Sequence, residues 1–341
     1  MAEPKRNVWV QPKKKFVIEI KKQIRFRRFG IATIAAVFFL IFIGGLVRST
    51  GSGMGCPDWP KCFGQWVPPS DISELPADYK TKFAVAGKEI ADFDAYKTWV
   101  EYYNRLIGVV IGLFVFLTVI FSLPYLKSEN KKIFWLSFLA FILVGFQGWI
   151  GSKVVSTDLA TYMVTIHMLI ALVIVALLIY TVSASQDFTV VQLQAHPHVK
   201  ALIGLSIFIA LVQTVTGTQV REVIDEIALR IDNRWVWTEN AGNTFLFHRS
   251  WSWLNLLSSV YMIVVFRKIF LRNSILYKAS LALLLLMCTQ ALTGAILSNL
   301  GFPGQFQSIH LTLGSLTIGL QIFIAILVFT KVEIKLENKK A

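Results

Sequence analysis

The amino-acid sequence predicts an all-α membrane protein, with eight transmembrane helices arranged as two pseudo-symmetric four-helix bundles. Three observations carry this expectation. Of 341 residues 55% are hydrophobic and only 16% charged, with a mean hydropathy of +0.59, a balance that ordinary soluble domains do not show. Eight stretches are long and apolar enough to cross a hydrocarbon core, which takes about 20 helical residues. The last four stretches also repeat the pattern of the first four.

In chain order the spans are expected at about 29 to 47, 99 to 123, 133 to 152, 160 to 182, 200 to 220, 246 to 266, 278 to 298 and 308 to 330. A basic cytoplasmic segment, 1–28, precedes them. The N-terminal half covers 29–182 with an outer loop at 48–98, a cytoplasmic linker covers 183–199, the C-terminal half covers 200–330, and a cytoplasmic tail covers 331–341. The first apolar run ends in Arg48-Ser49-Thr50-Gly51 without a small-x-small cleavage site, so it is expected to be kept as a helix.

An even number of spans puts both termini on one side. That side gathers Lys13, Lys14, Lys15, Lys21, Lys22, Arg25, Arg27 and Arg28, then Lys127, Lys131, Lys132, Arg267, Lys268, Arg272 and the tail lysines. Loops rich in Lys and Arg stay in the cytoplasm, so both termini are expected there. The opposite loops offset their bases with acids such as Asp58, Asp71, Glu89 and Asp225. The net charge of +14 therefore reports topology, and no nucleic-acid partner is expected.

Cys56 and Cys62 lie in the first outer loop and Cys288 inside a span. An oxidising compartment permits a disulfide between the first two, and zinc would need two further ligands that are missing nearby.

The repeat is specific. Gln147-Gly148-Trp149-Ile150-Gly151 is matched by Gln290-Ala291-Leu292-Thr293-Gly294, and each Gln is followed 20 residues later by a histidine, His167 or His310. Glu101-Tyr102-Tyr103-Asn104-Arg105 opens the second span, and Phe245-Leu246-Phe247-His248-Arg249 opens the sixth. Gly44 to Arg48 parallels Gly217 to Arg221. Chance aligns one apolar pattern easily but not four helices in order. The Gln-x-x-x-Gly pairs also serve as small-residue packing seams.

Ionisable groups within a membrane are costly and mark function. Glu101, His167, His248 and His310 all fall within about two turns of the outer helix ends, whereas His196 and His198 fall in the polar linker, where solvent suffices. His248 and His310, on two helices at one depth, suit the axial positions of one haem iron. Hydrogen bonding between helices is the alternative for each. In the first half Asn104 stands where His248 stands, and Glu101 stands one turn before it. One histidine, His167, with a nearby acid suits a more open iron and proton transfer; Glu101 is equally placed to pair with Arg105. A di-iron carboxylate site would need more carboxylates than the one at this depth. Arg105, Arg249, Arg48 and Arg221 suit either haem propionates or interfacial anchoring. Tryptophans cluster near the outer face, as belt anchors or porphyrin walls.

These residues, with the run Gly44-Gly45-Leu46-Val47-Arg48-Ser49-Thr50-Gly51-Ser52-Gly53-Met54-Gly55-Cys56-Pro57-Asp58-Trp59-Pro60-Lys61-Cys62, resemble haem A synthase over nearly the whole chain, in the bacterial form with a cysteine pair in the first outer loop. The resemblance implies oxidation of the ring D methyl group of haem O to a formyl group, giving haem A for terminal oxidases, in the bacterial cell (inner) membrane. It implies haem b as cofactor on His248 and His310 with Arg249, and haem O in the first half on His167, with Asn104 and Arg105 beside it and Glu101 as catalytic acid. A haem O synthase upstream is the implied partner, and quinone is a candidate electron acceptor. Asn104 departs from the family, which usually has histidine there, and the second cysteine pair of some relatives is absent.

Two other classes compete. A non-catalytic b-type membrane cytochrome exchanging electrons with quinone would not require Glu101. A two-repeat carrier would more often place broken helices at mid-membrane, whereas the polar groups here lie near one face.

Overall fold

The structure is a computed structural model that describes residues 14–186, 190–192, 196–330 and 332–334. Residues 1–13 of the expected basic segment, including Lys13, parts of the linker, and the expected tail apart from 332–334 lie outside the described residues. The molecule is built on eight long helices: α1 (Lys14–Ser49), α2 (Ala95–Ser122), α3 (Lys132–Ser156), α4 (Thr161–Ala184), α5 (Val199–Ala228), α6 (Gly242–Ile269), α7 (Ile275–Asn299) and α8 (Gly304–Thr330). Seven of them are long and apolar enough to cross a membrane. The exception is one of the eight expected spans. The stretch 246 to 266 falls on α6, which has the length but carries Asn243, Thr244, His248, Arg249, Ser250, Ser252 and Asn255.

Local chemistry sets the helix ends. Asp94 caps α2 by accepting from the Lys97 amide at 3.1 Å, and Ser274 caps α7 by accepting from Tyr277 at 3.2 Å. α1 closes with Ser52 N donating to Val47 O at 2.9 Å around Gly51, whose φ is 68°. This is the paired-bond ending that a left-handed residue allows and that glycine adopts without strain. The helices overrun the expected spans, and α1 begins at Lys14 where the apolar run begins near 29, because hydropathy reports only the apolar part of a helix that continues into water. A parallel pair of three-residue strands, β1 (Val190–Gln192) and β2 (Val332–Ile334), joins the linker to the chain beyond α8; hydropathy gave no sign of it.

Within 14–184, α1 packs on α2, α2 on α3, α3 on α4, and α4 on α1; α5 to α8 repeat this order. Val115, Ala140, Val175 and Leu178 fill the first core, and Ile203, Phe266, Leu276, Leu283 and Leu327 fill the second. Between them α8 packs on α1 and α4, and α5 touches α4. A Cβ on Gly45 would stand 3.2 Å from Ser308 Cα, so only a bare backbone lets α1 and α8 approach this closely. Ser49 and Ser308 share a hydrogen bond at 3.1 Å on this seam, and Thr165 and Thr218 share one at 2.8 Å on the α4–α5 contact. Since Thr165 is the repeat counterpart of Ser308, the two seams are related pairs. Large apolar side chains such as Val109, Leu113, Leu205, Leu257 and Leu285 face outward, as lipid requires and water does not reward.

The loop between α1 and α2 folds over one end of the molecule, here termed the loop end. Cys56 and Cys62 form the expected disulfide, with both side chains fully buried. They pack with Phe63 and Tyr79 against Phe83, Phe93 and Tyr102. Asp58 accepts from Phe63 N at 2.5 Å and Gly64 N at 2.8 Å, which fixes the turn beyond the bridge.

Candidate functional site at the loop end

His248 on α6 and His310 on α8 face each other with ring centres 6.4 Å apart and planes at 65°. One metal between two imidazoles needs about 6 Å between ring centres, with metal–nitrogen bonds near 2 Å on each side. The spacing therefore fits a single axially ligated iron. Among the described residues no three His, Cys, Asp or Glu side chains gather as a metal site, so an ion held here would need its remaining ligands from outside that set, as a macrocycle provides.

The surroundings of both rings suit that use. Thr216 Oγ1 lies 3.1 Å from His248 Nδ1, and Thr293 Oγ1 lies 2.9 Å from His310 Nδ1. A hydroxyl at Nδ1 holds that nitrogen, the usual division of labour in metal-bound histidines. This leaves Nε2 of His310 for a metal, while Nε2 of His248 lies 3.2 Å from Gln213 Nε2, which a metal there would displace. Gln213 Nε2 donates to His248 O at 3.1 Å and also approaches both ring nitrogens. Each ring lies over a helix glycine: a Cβ on Gly217 would be 3.2 Å from His248 Cε1, and one on Gly294 would be 3.3 Å from His310 Cε1.

The first half repeats only part of this. His167 lies over Gly151, with 3.5 Å to a Cβ there, and its carbonyl accepts from Gln147 Nε2 at 2.7 Å. The repeat counterparts of Thr216 and Thr293 are Ile43 and Ile150, and His167 Nδ1 is buried with no hydrogen-bond partner. Asn104 Oδ1 and Gln147 Oε1 are also buried without partners. Gly44, the counterpart of Gly217, has nothing within 4 Å of its would-be Cβ. The imidazole that fills this place in the second half is replaced by the shorter Asn104. The first half thus presents more room and three polar atoms in want of partners, which buried groups rarely lack.

Glu101 is 4% exposed. Its Oε1 pairs with Arg105 Nη2 at 2.5 Å, and its Oε2 accepts from Cys56 N at 2.8 Å. Arg105 in turn donates to the carbonyls of Cys56 at 2.9 Å, Asp58 at 2.7 Å and Lys61 at 2.9 Å. Of the two readings of Glu101 the pairing with Arg105 is seen, and the pair is fastened to the disulfide loop. A Cβ on Gly55 would lie 2.4 Å from Lys97 O, so the loop reaches Glu101 only with glycine there. Glu101 and His167 share no hydrogen bond among the described residues. Arg249, the counterpart of Arg105, is exposed.

Arg48 and Arg221 converge on one carboxylate. Asp225 takes Arg48 at 3.0 Å and Arg221 at 2.6 Å, and Arg221 also donates to Gln307. Sequence reasoning counted Asp225 only as a loop acid and missed Thr216 and Gln213; Thr293 alone lay inside a quoted motif. Trp59, Trp66, Trp149, Trp235 and Trp253 are exposed, while Trp237 is buried and donates to Ile231 O at 2.8 Å. Of the linker histidines, His198 is exposed and His196 half-buried, with their rings 6.2 Å apart.

Comparison with known proteins adds a family. Residues 27–322 match the family model COX15-CtaA, described as cytochrome oxidase assembly protein. A protein named heme A synthase from Shouchella clausii (strain KSM-K16) is 28% identical over 283 residues, covering 79% of this chain and 85% of that protein. One of the same name from Exiguobacterium sp. (strain ATCC BAA-1283 / AT1b) is 29% identical over 275 residues, covering 78% and 80%.

Proposed function

The chain belongs to the COX15-CtaA family of cytochrome oxidase assembly proteins, and on that premise we propose that it is a haem A synthase, oxidising the ring D methyl group of haem O to a formyl group. The names of its relatives and the unequal halves support this reading. The observation that carries it is the space before Gly44, where the second half has His248 against Gly217. A pure electron carrier gains nothing from opening one of two matched sites and placing a buried acid beside it.

In this reading the eight helices are eight spans in two four-helix bundles, the first for substrate and the second for haem b. Both termini lie in the cytoplasm of a bacterial cell, with the loop end outside. His248 and His310 would hold the cofactor iron, with Thr216 and Thr293 fixing their Nδ1 nitrogens, and exposed Arg249 would be available to a propionate. Bound haem b supplies one-electron redox chemistry, with quinone as a candidate acceptor. His167 would hold the iron of haem O, and Asn104 Oδ1, without a partner in the protein, would accept a hydrogen bond from the substrate or a water beside it. Glu101 would accept a proton from the reacting centre, and Arg105 holds its carboxylate in place. The Cys56–Cys62 loop would hold Glu101 and Arg105 beside this space.

The test is haem extraction from cells that also make a haem O synthase. Haem A is expected from the unaltered chain and not from Glu101→Gln. Unchanged haem A from Glu101→Gln would overturn the role given to Glu101, and a purified protein with no haem would overturn the reading as a whole.

A further inference from the structure

Deeper in the second half, away from the loop end, lies a group of amides and hydroxyls that the haem-holding role does not use. Asn255 follows His248 by seven residues on α6, Ser206 precedes Gln213 by seven on α5, and Gln321 follows His310 by 11 on α8. These spacings return to the same helix face, so all three lie in line beneath the histidine pair. At 1.5 Å per residue, Asn255 sits about 10 Å deeper than His248. Asn255 is 4% exposed, Gln321 1% and Ser206 0%.

The hydrogen bonds among them have a fixed direction. Ser258 Oγ donates to Asn255 O at 2.8 Å, so in its 3.4 Å contact with Ser206 it accepts. Ser206 Oγ is then the donor there, and it accepts from Gln321 Nε2 at 2.8 Å. Both hydroxyl protons are thereby used. Gln321 Oε1, Asn255 Oδ1 and Asn255 Nδ2 remain buried with no partner. Two acceptors and one donor left unfilled at this depth are costly and call for an occupant that both gives and takes hydrogen bonds.

The first half shows that the fold does not need these groups. The counterparts of Asn255 and Gln321 are Ile111 and Leu178, both buried, and the counterpart of Ser206 is Thr33, which is satisfied by Thr118 at 2.9 Å. The amides are therefore peculiar to the second half. Below them Ile203, Met262, Phe266, Leu283, Ile324 and Leu327 pack as a continuous apolar cluster, which closes the site from the other end.

We propose that Asn255, Gln321, Ser206 and Ser258 form a closed site for internal water that sets the polarity felt by the redox centre above it. Water is the smallest molecule with the required donors and acceptors, and buried polar sites of this kind hold it. The effect on redox rests on the reading of His248 and His310 as haem ligands. Polar neighbours favour the more highly charged ferric form, so the site holds the reduction potential down.

The water site is tested by a high-resolution map of the holoprotein. Density bridging Asn255 and Gln321 is expected; a dry site with both amides bonded to protein would overturn the proposal. The redox effect is tested by the double variant Asn255→Ile and Gln321→Leu, which copies the first half. It is expected to melt no lower than the parent and to move the potential of the haem to more positive values. An unmoved potential would sink the redox effect. Should the double variant not fold, Ser206→Ala, which breaks the chain at one hydroxyl, takes its place in the redox titration. The same positive shift is expected from it, and an unmoved potential again sinks the redox effect. Loss of the reading beneath it looks different: if His248→Ala kept the full haem spectrum, the ligand assignment would fall while the map result stood.

Discussion

At residue scale the two halves differ by a few exchanges, each with a physical consequence. Gly217 carries an imidazole against it, whereas Gly44 is exposed and carries nothing within 4 Å; position 104 holds asparagine where position 248 holds histidine. If the first half holds haem O on His167, Asn104→His is expected to fill that space and supply a second ligand to its iron. The protein loaded with haem O should then change from a high-spin to a low-spin absorption spectrum; a spectrum unchanged by the substitution would show that position 104 does not face the iron. In the second half, His248→Ala or His310→Ala should remove the low-spin b-type signal from reduced-minus-oxidised spectra while haem O is still retained by the first half. The threonines at Nδ1 matter in a different way. Thr293→Val keeps the shape but removes the hydroxyl 2.9 Å from His310, so about 10- to 100-fold weaker haem retention is expected, measured by haem transfer to apomyoglobin.

At the scale of the elements, helix packing depends on neighbouring glycines with opposite surroundings. Gly45 lies on the α1–α8 seam, with Ser308 backbone 3.2 Å from its would-be Cβ, whereas the adjoining Gly44 faces open space. Gly45→Ala is expected to cost about 1–3 kcal/mol through overpacking and to lower the thermal midpoint in detergent. Gly44→Leu should leave the midpoint nearly unchanged yet abolish haem O retention, since the side chain would occupy the chamber. Equal melting of the two variants would mean that the seam is more pliant than its close approach suggests. The eight helical stretches were legible from hydropathy, and their pairing across halves from the repeat. Their true ends and the strand pair were not, because caps and strand partners are set by contacts that a sliding apolar window does not register; the lesser hydropathy of α6 is written in its own Asn243, His248, Arg249 and Asn255.

At the scale of the whole molecule, Lys and Arg gather at the end opposite the disulfide loop, which makes the sidedness testable. In a Cys288→Ser background, Lys88→Cys in the outer loop should react with a membrane-impermeant maleimide on intact spheroplasts. Arg272→Cys between α6 and α7 should react only after permeabilisation. The reverse pattern would invert the topology and place the loop end in the cytoplasm.

The sequence by itself determined the class of protein, the duplication, the disulfide and the four ionisable residues near one face, because hydropathy, repeat spacing and residue chemistry are local properties of the chain. It left open whether Glu101 served Arg105 or chemistry, and it was silent on Thr216, Gln213, Asn255 and Gln321. Those depended on tertiary structure. Which buried polar atoms find partners is settled only when helices far apart in sequence are packed side by side, and in this chain the unpartnered atoms are what distinguish one half from the other.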